Sequence, residues 1–310
     1  MRVLVTGGAG FVGSNVVAVA AELGHEVTAT ARTLPPLPDP RCRYVPVDLL
    51  DRDAVLDAVA WVQPSVIVHT AIWNDFAGIY ADRRRGWDSY VGVTQTLAEA
   101  ANAAAAALAT ISSDWVFDGT QTMAAESTPP NPVNYYGVLK AASELVTLER
   151  ASKPIVARIA GVIGAHRAGK QTPRTQDAGF GYLVDAVVAS LEDAEPFTVW
   201  EDERINNVAT PTLATLAAEW ILELAERGER GIFHCCAAEP VTRLELAQRA
   251  ARAFELDESL VQPGPVVEAE LPGGRVPYDT SLDSSRTAHA VGRSAPSVDA
   301  MLERFRAERA

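Results

Sequence analysis

The residues best suited to chemistry are a tyrosine and a lysine that stand four positions apart, Tyr136 and Lys140. On a helix this spacing puts both side chains on one face. A lysine ammonium beside a phenol favours the phenolate and lowers its pKa, which suits proton exchange with a carbonyl oxygen near neutral pH. Ser112-Ser113 closes a predicted strand upstream, and a hydroxyl there can hold the same oxygen. These residues predict acid–base chemistry on a carbonyl group.

Glycines recur at every third position in the first loop, at Gly7, Gly10 and Gly13. They follow a strand pattern and open a helical one. Such a loop lets backbone approach a pyrophosphate, and the helix N-terminus adds free N–H groups and a partial positive charge. The position of this motif predicts a dinucleotide site.

The end of the second predicted strand favours NADP(H) over NAD(H). NAD enzymes usually place a carboxylate there for the ribose diol, whereas this chain has Ala29-Thr30-Ala31-Arg32-Thr33. Arg32 can pair with a 2′-phosphate through its planar fork, or it is a solvated loop arginine. Asp48 ends the third predicted strand and can hold the adenine amino group, or it caps the next helix.

The elements that must position these residues alternate between strand and helix through the first half of the chain. We therefore predict an α/β fold with a Rossmann-type, doubly wound parallel sheet. The predicted strands are 3–6, 26–30, 43–47, 65–69, 108–112 and 155–159, and the predicted helices are 13–23, 51–61, 87–107 and 135–152.

The alternation breaks at residues 164–181, which are polar, rich in glycine and basic within an acidic protein. Loop composition over this length is typical of a lid. Helices at 182–192, 212–227, 242–254 and 297–308 and strands at 197–200 and 231–236 follow. We predict a dinucleotide-binding domain over 1–163, rejoined by about 204–236, and a smaller substrate-binding lobe over 164–203 and 237–310.

The composition and net charge of the chain limit the kinds of partner and environment that we expect for the protein. A net charge of −13 argues against a nucleic-acid partner, because phosphate backbones need a concentrated basic surface. We find no apolar stretch long enough for a membrane span and no room for a signal peptide before the first strand, so we expect a cytoplasmic protein. Three cysteines do not suggest a disulfide framework. Cys235 and Cys236 are typical of buried strand residues, and we expect no metal site.

Two segments resemble a known family. Residues 111–120 (ISSDWVFDGT) and 132–140 (PVNYYGVLK), followed by Glu144, resemble an extended short-chain dehydrogenase/reductase, and in particular its dTDP-4-dehydrorhamnose reductase branch. Residues 203–213, 231–241 and 279–283 extend the likeness over most of the chain.

The resemblance implies roles for residues already singled out and for their neighbours. Ser113, Tyr136 and Lys140 become the catalytic triad of a deoxysugar-biosynthesis oxidoreductase. The implied cofactor residues are Gly7, Gly10, Phe11, Val12 and Gly13 at the pyrophosphate, Arg32, Asp48 and Leu49 at the adenosine end, and His69, Thr70 and Ala71 after the fourth strand. For His69, a structural or cofactor-side role is favoured over an acid–base role.

The expected reaction is reduction of a ketone on a nucleotide-activated 4-keto-6-deoxysugar of the dTDP type. Hydride comes from NADPH, Tyr136 donates the proton, Ser113 holds the carbonyl oxygen, and Lys140 tunes Tyr136 and orients the ribose. A sugar nucleotide carries a diphosphate, for which we expect cations from the second lobe. The candidate substrate residues are Trp73, Asp114, Trp115, Arg167, Lys170, Arg174 and Arg204.

The chain departs from the family pattern at two places. Tyr90 replaces an asparagine that helps to organise the lysine and a water relay, so proton delivery is expected to differ. The segment Ile72-Trp73-Asn74-Asp75-Phe76 is bulkier than usual; it either reshapes the substrate pocket or packs under a loop.

Three alternatives stay open. One is an epimerase or dehydratase that retains its NAD, and another is a reductase of a ketone or aldehyde without a nucleotide. The third, from a different class, is a non-catalytic NADP-binding regulatory subunit, since such subunits resemble the same branch. Relatives are often dimers, so a homodimer is compatible with the resemblance, although no residue pattern marks an interface.

Overall fold

A parallel sheet of seven strands forms the centre of the computed structural model, which describes residues 1–169, 176–268, 271 and 274–309. In spatial order the strands are β11 (Gly231–His234), β6 (Pro154–Ile159), β5 (Ala107–Ser113), β4 (Val66–His69), β1 (Arg2–Thr6), β2 (Glu26–Ala31) and β3 (Cys42–Pro46). The chain reverses direction across the sheet between β1 and β4, where doubly wound folds bind ligands. The predicted fold class is confirmed.

Helices cover both faces of this sheet. On one face α1 (Phe11–Glu22) packs beside α8 (Ala214–Arg227), and their apolar residues join the largest core cluster. On the other face α2 (Arg52–Val62) packs beside α5 (Val93–Ala103), which in turn contacts α6 (Tyr135–Arg150). Because the central strand Val66–His69 is buried on both faces, its sequence is largely apolar.

Short strands and four further helices make up the rest of the fold. β7 (Val162–Ile163) pairs with β10 (Thr212–Leu213), β9 (Val208–Ala209) lies between β12 (Val241–Thr242) and β14 (Asp279–Thr280), and β8 (Phe197–Trp200) pairs with β13 (Val261–Gly264). The helices are α7 (Leu183–Glu192), α9 (Arg243–Ala253), α10 (Ser285–Val291) and α11 (Val298–Arg309). β11 returns to the central sheet beside β6, while the division into two lobes stays a prediction.

The prediction of a single helix over 87–107 is wrong at both ends and in the middle, because the observed helical segment is longer at its start, distorted inside and shorter at its end. It begins earlier as α4 (Arg83–Trp87), widens into a π-helical turn at Asp88–Gly92, and ends with α5 at Ala103. Ala105 takes a left-handed conformation and Ala107 already pairs with Val66 in the sheet. At the end of this alanine run, pairing with the neighbouring strand therefore outweighs the helix preference of alanine. A short helix before it, α3 (Phe76–Ala81), was not predicted.

Other element ends shift by one or two residues. The predicted helix at 212 begins at Ala214, because Thr212 and Leu213 pair with β7, and the strand predicted to residue 236 ends at His234. Cys235 and Cys236 follow that strand, fully buried and unbridged. Within the described residues no helix has the length and apolar character that a membrane crossing requires.

Candidate active site

The glycine loop between β1 and α1 is closed by backbone hydrogen bonds. The N–H groups of Gly7 and Gly8 both donate to the carbonyl of Thr30, at 3.1 Å. Gly7 has a left-handed φ of 75°, and a side chain on Gly13 would overlap the Gly7 carbonyl. Among the described residues, no side chain caps the first turn of α1. Its N–H groups are therefore left to bind an anion at the edge where β1 and β4 end.

His69 and Thr70, at the end of β4, are tied to β1 rather than aimed at a substrate. His69 Nδ1 lies 2.7 Å from Thr6 Oγ1, and Thr70 Oγ1 donates to the Thr6 carbonyl at 2.7 Å. Burial, helped by the charge of Lys140, lowers the pKa of His69 to about 3, so its ring is neutral. Ala71 packs directly against Gly7. These positions fit a structural, cofactor-side role.

At the adenosine end, Arg32 follows β2 directly and is exposed, with no partner among the described residues. Asp48 is also exposed, and its Oδ1 accepts from Leu50 N–H at 3.1 Å. The capping alternative for Asp48 is wrong, because Asp51 caps α2 by accepting from Ala54 N–H at 3.1 Å. Leu49 packs its side chain on the apolar cluster under α2.

One cavity of about 400 Å³ brings the two predicted groups of residues together. Ser113, Tyr136 and Lys140 line it, and so do Phe11 and Val12 of the glycine loop. Thr70 of the fourth strand also reaches its wall. We call this space the site cavity. Ile159, Gly161, Val162 and residues 177–182, which we call its far wall, also line it, together with Asn206.

Local contacts at the start of α6 set the positions of Tyr136 and Lys140. Asn134 caps the helix by accepting from Gly137 N–H at 2.8 Å. A side chain on Gly137 would overlap the Trp115 carbonyl, so this glycine lets α6 pack closely on the segment that follows β5. Tyr136 is therefore held beside the end of the strand that carries Ser113.

Hydrogen bonds hold the Ser113 hydroxyl in place beside the Tyr136 phenol. Ser113 Oγ donates to Asp114 Oδ1 at 2.8 Å and accepts from Trp115 N–H at 3.2 Å. Burial raises the pKa of the Tyr136 phenol, a hydrogen bond with Ser113 opposes this rise, and the charge of Asp114 adds to it. The phenol is therefore protonated at neutral pH, as a proton donor must be.

Burial raises the pKa of Tyr136 and outweighs the lowering that we expected from Lys140. Its Nζ donates to the Ile111 carbonyl at 3.0 Å and lies 5.8 Å from the centre of the Tyr136 ring. Burial lowers the pKa of Lys140 to about 8, with the charge of Glu144 opposing the change. The ammonium is thus directed at strand β5, and the phenol keeps its proton.

Aromatic side chains form the wall around the Tyr136 phenol. Phe76 and Trp115 have ring centroids 5.1 and 6.0 Å from that of Tyr136. Within the bulky segment, Ile72 and Phe76 line the site cavity, so this segment does shape the pocket. Trp73 instead packs its ring under the guanidinium of Arg85, at 4.7 Å.

Two residues beside the triad carry features that the motifs alone did not specify. Burial raises the pKa of Asp114 to about 6, against hydrogen bonds from Thr280 and Ser113. Tyr90 lies in the π-helical turn, donates to the Trp73 carbonyl at 3.1 Å, and stacks edge-on against Tyr136. Lys140 Nζ lies 5.6 Å from the Tyr90 ring centre.

Two of the predicted phosphate-binding arginines, Arg167 and Arg204, do not line the site cavity. Arg167 pairs with Glu308 at 3.4 Å and lines a different cavity between α1 and residues 37–44. Arg204 pairs with Asp202 at 2.7 Å and with Glu268 at 3.0 Å. Neither arginine belongs to the described residues that line the site cavity. Lys170 and Arg174 lie outside the described residues.

Arg243 holds the far wall of the site cavity and was not predicted from the sequence. The side chain is buried and donates to the Gly179 and Asp177 carbonyls and to Gln176 Oε1, the last two at 2.9 and 3.1 Å. The signal was present: Arg243 shares the buried face of α9 with Leu246, Ala247 and Ala250. A buried charge at such a position requires polar partners.

Comparison with known proteins places this geometry in a family. The family model described as the RmlD substrate binding domain matches residues 1–309. This chain belongs to that family. The chain is 31% identical to methionine adenosyltransferase 2 subunit beta of Bos taurus, over 92% of this chain and 81% of that protein. It is 29% identical to dTDP-4-keto-6-deoxy-D-glucose reductase of Streptomyces niveus, over 85% and 82%.

Solved structures agree with this RmlD family membership. The dTDP-4-dehydrorhamnose reductase from Bacillus anthracis, in complex with NADP, superimposes with a TM-score of 0.81. The match covers 99% of both chains at 20% identity, so it shows a common fold. The resemblance to the dTDP-4-dehydrorhamnose reductase branch of extended short-chain dehydrogenases/reductases is thereby confirmed.

Proposed function

We propose that this RmlD family member is an NADPH-dependent reductase of a ketone on a nucleotide-activated 6-deoxysugar. The proposal rests on the site cavity, which is lined both by the loop residues Phe11 and Val12 and by the candidate triad Ser113, Tyr136 and Lys140. A cofactor bound at the loop and a carbonyl held by the triad would thus occupy one continuous space.

The loop fits a dinucleotide. A side chain at Gly13 would fill the space against the Gly7 carbonyl, and the first turn of α1 has no side-chain cap. Gly10, Phe11 and Val12 would hold the pyrophosphate, and Thr70 and Ala71 would line the nicotinamide half. Arg32, exposed and unpaired among the described residues, would take a 2′-phosphate, which favours NADP(H). When bound, the cofactor supplies the hydride.

The chain's own residues handle the proton. Tyr136, whose pKa is raised by burial, donates its phenolic proton to the carbonyl oxygen as the carbonyl becomes an alcohol. The Ser113 hydroxyl turns from Asp114 to the same oxygen. Lys140, still charged at neutral pH, stabilises the phenolate that is left until Tyr136 takes a proton from solvent.

Support for a sugar nucleotide comes from the relatives. A Streptomyces niveus relative is a dTDP-4-keto-6-deoxy-D-glucose reductase, and the Bacillus anthracis structure is of a dTDP-4-dehydrorhamnose reductase. The Phe76 and Trp115 rings offer an apolar surface of the kind that packs against the deoxygenated side of a sugar. The described cavity wall supplies no arginine for the diphosphate.

Replacement of Tyr136 by phenylalanine tests the proposal. With dTDP-4-keto-6-deoxyglucose and NADPH, we expect Tyr136→Phe to lose at least about 100-fold in turnover, as removal of a general acid does. NADPH affinity, measured by fluorescence titration, should be unchanged. Tyr135→Phe is the matched control, because its hydroxyl donates to the Arg83 carbonyl away from the cavity. Undiminished turnover by Tyr136→Phe would refute the assignment.

A second candidate function follows from the Bos taurus relative, which is a subunit of another enzyme. On this hypothesis the chain binds NADP and performs no reduction. Tight NADPH binding by the wild-type protein without NADPH oxidation on a panel of keto-sugar nucleotides and simple ketones would favour this function over the reductase.

A further inference from the structure

Helix α6 turns a polar face towards strand β5, where an apolar interface would be expected. Three residues on this face, Lys140, Glu144 and Thr147, follow the helical spacing of a buried stripe. Each meets a polar group of β5: Lys140 Nζ donates to the Ile111 carbonyl at 3.0 Å, Ser112 Oγ donates to Glu144 Oε1 at 2.5 Å, and Thr147 Oγ1 lies 2.9 Å from Thr110 Oγ1. We call these residues the buried polar face of α6.

Glu144 is the charged centre of that face, and a complete set of partners holds it. Arg158 on β6 binds it through two parallel hydrogen bonds, Nε to Oε1 at 2.8 Å and Nη2 to Oε2 at 2.7 Å. Arg158 is fully buried and also contacts His234 Nε2, at 3.2 Å. Such bidentate pairs fix orientation as well as charge.

A buried ion pair of this kind is weak evidence for stability, because apolar residues of similar size often serve a core as well or better. Here the buried polar contacts instead fix the register of helix α6 against strand β5. Ile111 and Ser112 are consecutive residues that lead to Ser113, and their partners Lys140 and Glu144 are one helical turn apart. The two contacts together fix both the height and the rotation of α6 against the end of β5.

Glu144 is also the acidic group that acts on Lys140. The ionisable groups around the Lys140 ammonium are Tyr136 and Glu144 on its own helix, Tyr90 from the π-helical turn, His69 on β4, Asp114 after β5, and Arg158 beyond Glu144 on β6. The charge of Glu144 favours the ammonium, while burial opposes it. The side chains of Tyr90 and Tyr136 are neutral, since burial raises the pKa of each phenol.

We propose that Glu144 is a positioning residue for the catalytic pair: held by Arg158, it fixes Lys140 and Ser113 relative to each other and keeps Lys140 protonated. This inference rests on the proposed reductase function for its catalytic meaning. Ser112 is the second positioning residue, since its hydroxyl joins Glu144 to the strand.

The direct test is the titration of Lys140 in wild-type protein and in Glu144→Gln. Competitive labelling with acetic anhydride, followed by mass spectrometry across pH, reads the protonation of Lys140 and needs no substrate. We expect the pKa of Lys140 to fall by at least about one unit in Glu144→Gln, as loss of a neighbouring opposite charge does. The alkaline limb of kcat/KM should move down in pH by the same amount. Ser112→Ala should lower kcat several-fold without moving this limb.

The control removes a polar pair from the same face without touching Glu144. Thr110→Val/Thr147→Val deletes both hydroxyls of the third contact, and it should leave the Lys140 titration unchanged. Where Glu144→Gln does not fold, Glu144→Leu/Arg158→Met is titrated against Arg158→Met alone, so that only the Glu144 charge differs between the two proteins.

A folded variant lacking the Glu144 charge whose Lys140 titrates as in wild type overturns the proposal. If wild-type protein reduces no carbonyl, the proposed function fails, and the labelling titration still decides the effect of Glu144 on Lys140.

Discussion

Burial lowers the pKa of Lys140 so far that the side chain loses its charge at mildly alkaline pH, and this gives the proposed reaction a pH dependence. The pKa of Lys140 is lowered to about 8, so the side chain is an ammonium below that value and neutral above it. The charged ammonium stabilises a phenolate formed at Tyr136, whereas the neutral amine does not. We expect kcat/KM to be level on the neutral side and to fall as pH rises through about 8.

Lys140→Arg is the informative companion to that pH profile, because a guanidinium stays charged across the whole range. Whatever activity the variant retains should lack the fall near pH 8. A wild-type profile that is flat through this region would show that Lys140 does not act as the cation.

Arg32 is the residue on which the choice of cofactor depends. Its guanidinium follows β2 and has no partner among the described residues. A charge-assisted hydrogen bond to a 2′-phosphate contributes about 1.5–3 kcal/mol, so Arg32→Ala should weaken NADPH binding by roughly tenfold to a hundredfold. NADH binding should change little. Arg52→Ala, which removes an exposed pair with Glu99, is the control. Equal losses for both cofactors in isothermal titration would argue against the assignment.

At the scale of elements, the close packing of α6 on the end of β5 decides whether the triad is assembled. A methyl group at Gly137 would overlap the Trp115 carbonyl, so Gly137→Ala must push α6 and Tyr136 away from Ser113. A displacement of about 1 Å can cost about 100-fold in rate, and we expect a kcat loss of that order. Circular dichroism should show a folded protein.

Gly92→Ala gives the matched comparison for that change. The added methyl group would meet nothing nearer than Asp88 Cβ, at 3.9 Å, and the backbone is helical. This variant should keep wild-type turnover. Comparable losses in both glycine variants would mean that the contact with Trp115 has no special importance.

The sequence predicted long elements well and short ones poorly, for physical reasons. The strand Val66–His69 is an apolar run that is buried on both faces, as that pattern requires. The six residues of Phe76–Ala81 are too few to display a helical period. The π-helical turn at Asp88–Gly92 leaves no local sequence signal, since Tyr90 is packed there by Trp73 and Tyr136.

For the whole molecule, the C-terminal helix α11 completes the main core. Phe305 is fully buried there and packs edge-on against Phe254. Phe305→Ala should lower the free energy of unfolding by about 3–5 kcal/mol, the usual cost of such a cavity. Urea denaturation measures this, with the exposed Glu303→Ala as control. Equal midpoints for the two variants would contradict a core role for this helix.

Contacts between distant parts of the chain explain which site residues the sequence placed well. Ser113, Tyr136 and Lys140 follow from motif spacing on neighbouring elements, and the structure brings them to one cavity. Arg167 carries no such local information. Its partner Glu308 lies at the other end of the chain, and only the folded structure shows that this arginine is engaged there. The same holds for Arg243 and the wall it supports.

The proposed function depends on transfer of hydride from the cofactor to a carbonyl carbon, and an isotope label follows that transfer. The protein is incubated with dTDP-4-keto-6-deoxyglucose and NADPH deuterated at the transferable position, and the sugar product is examined by mass spectrometry. The reductase assignment predicts one deuterium in the product alcohol for wild type and Tyr135→Phe, and none above background for Tyr136→Phe. NADPH binding without deuterium transfer to this substrate or to any other ketone of a panel would contradict it.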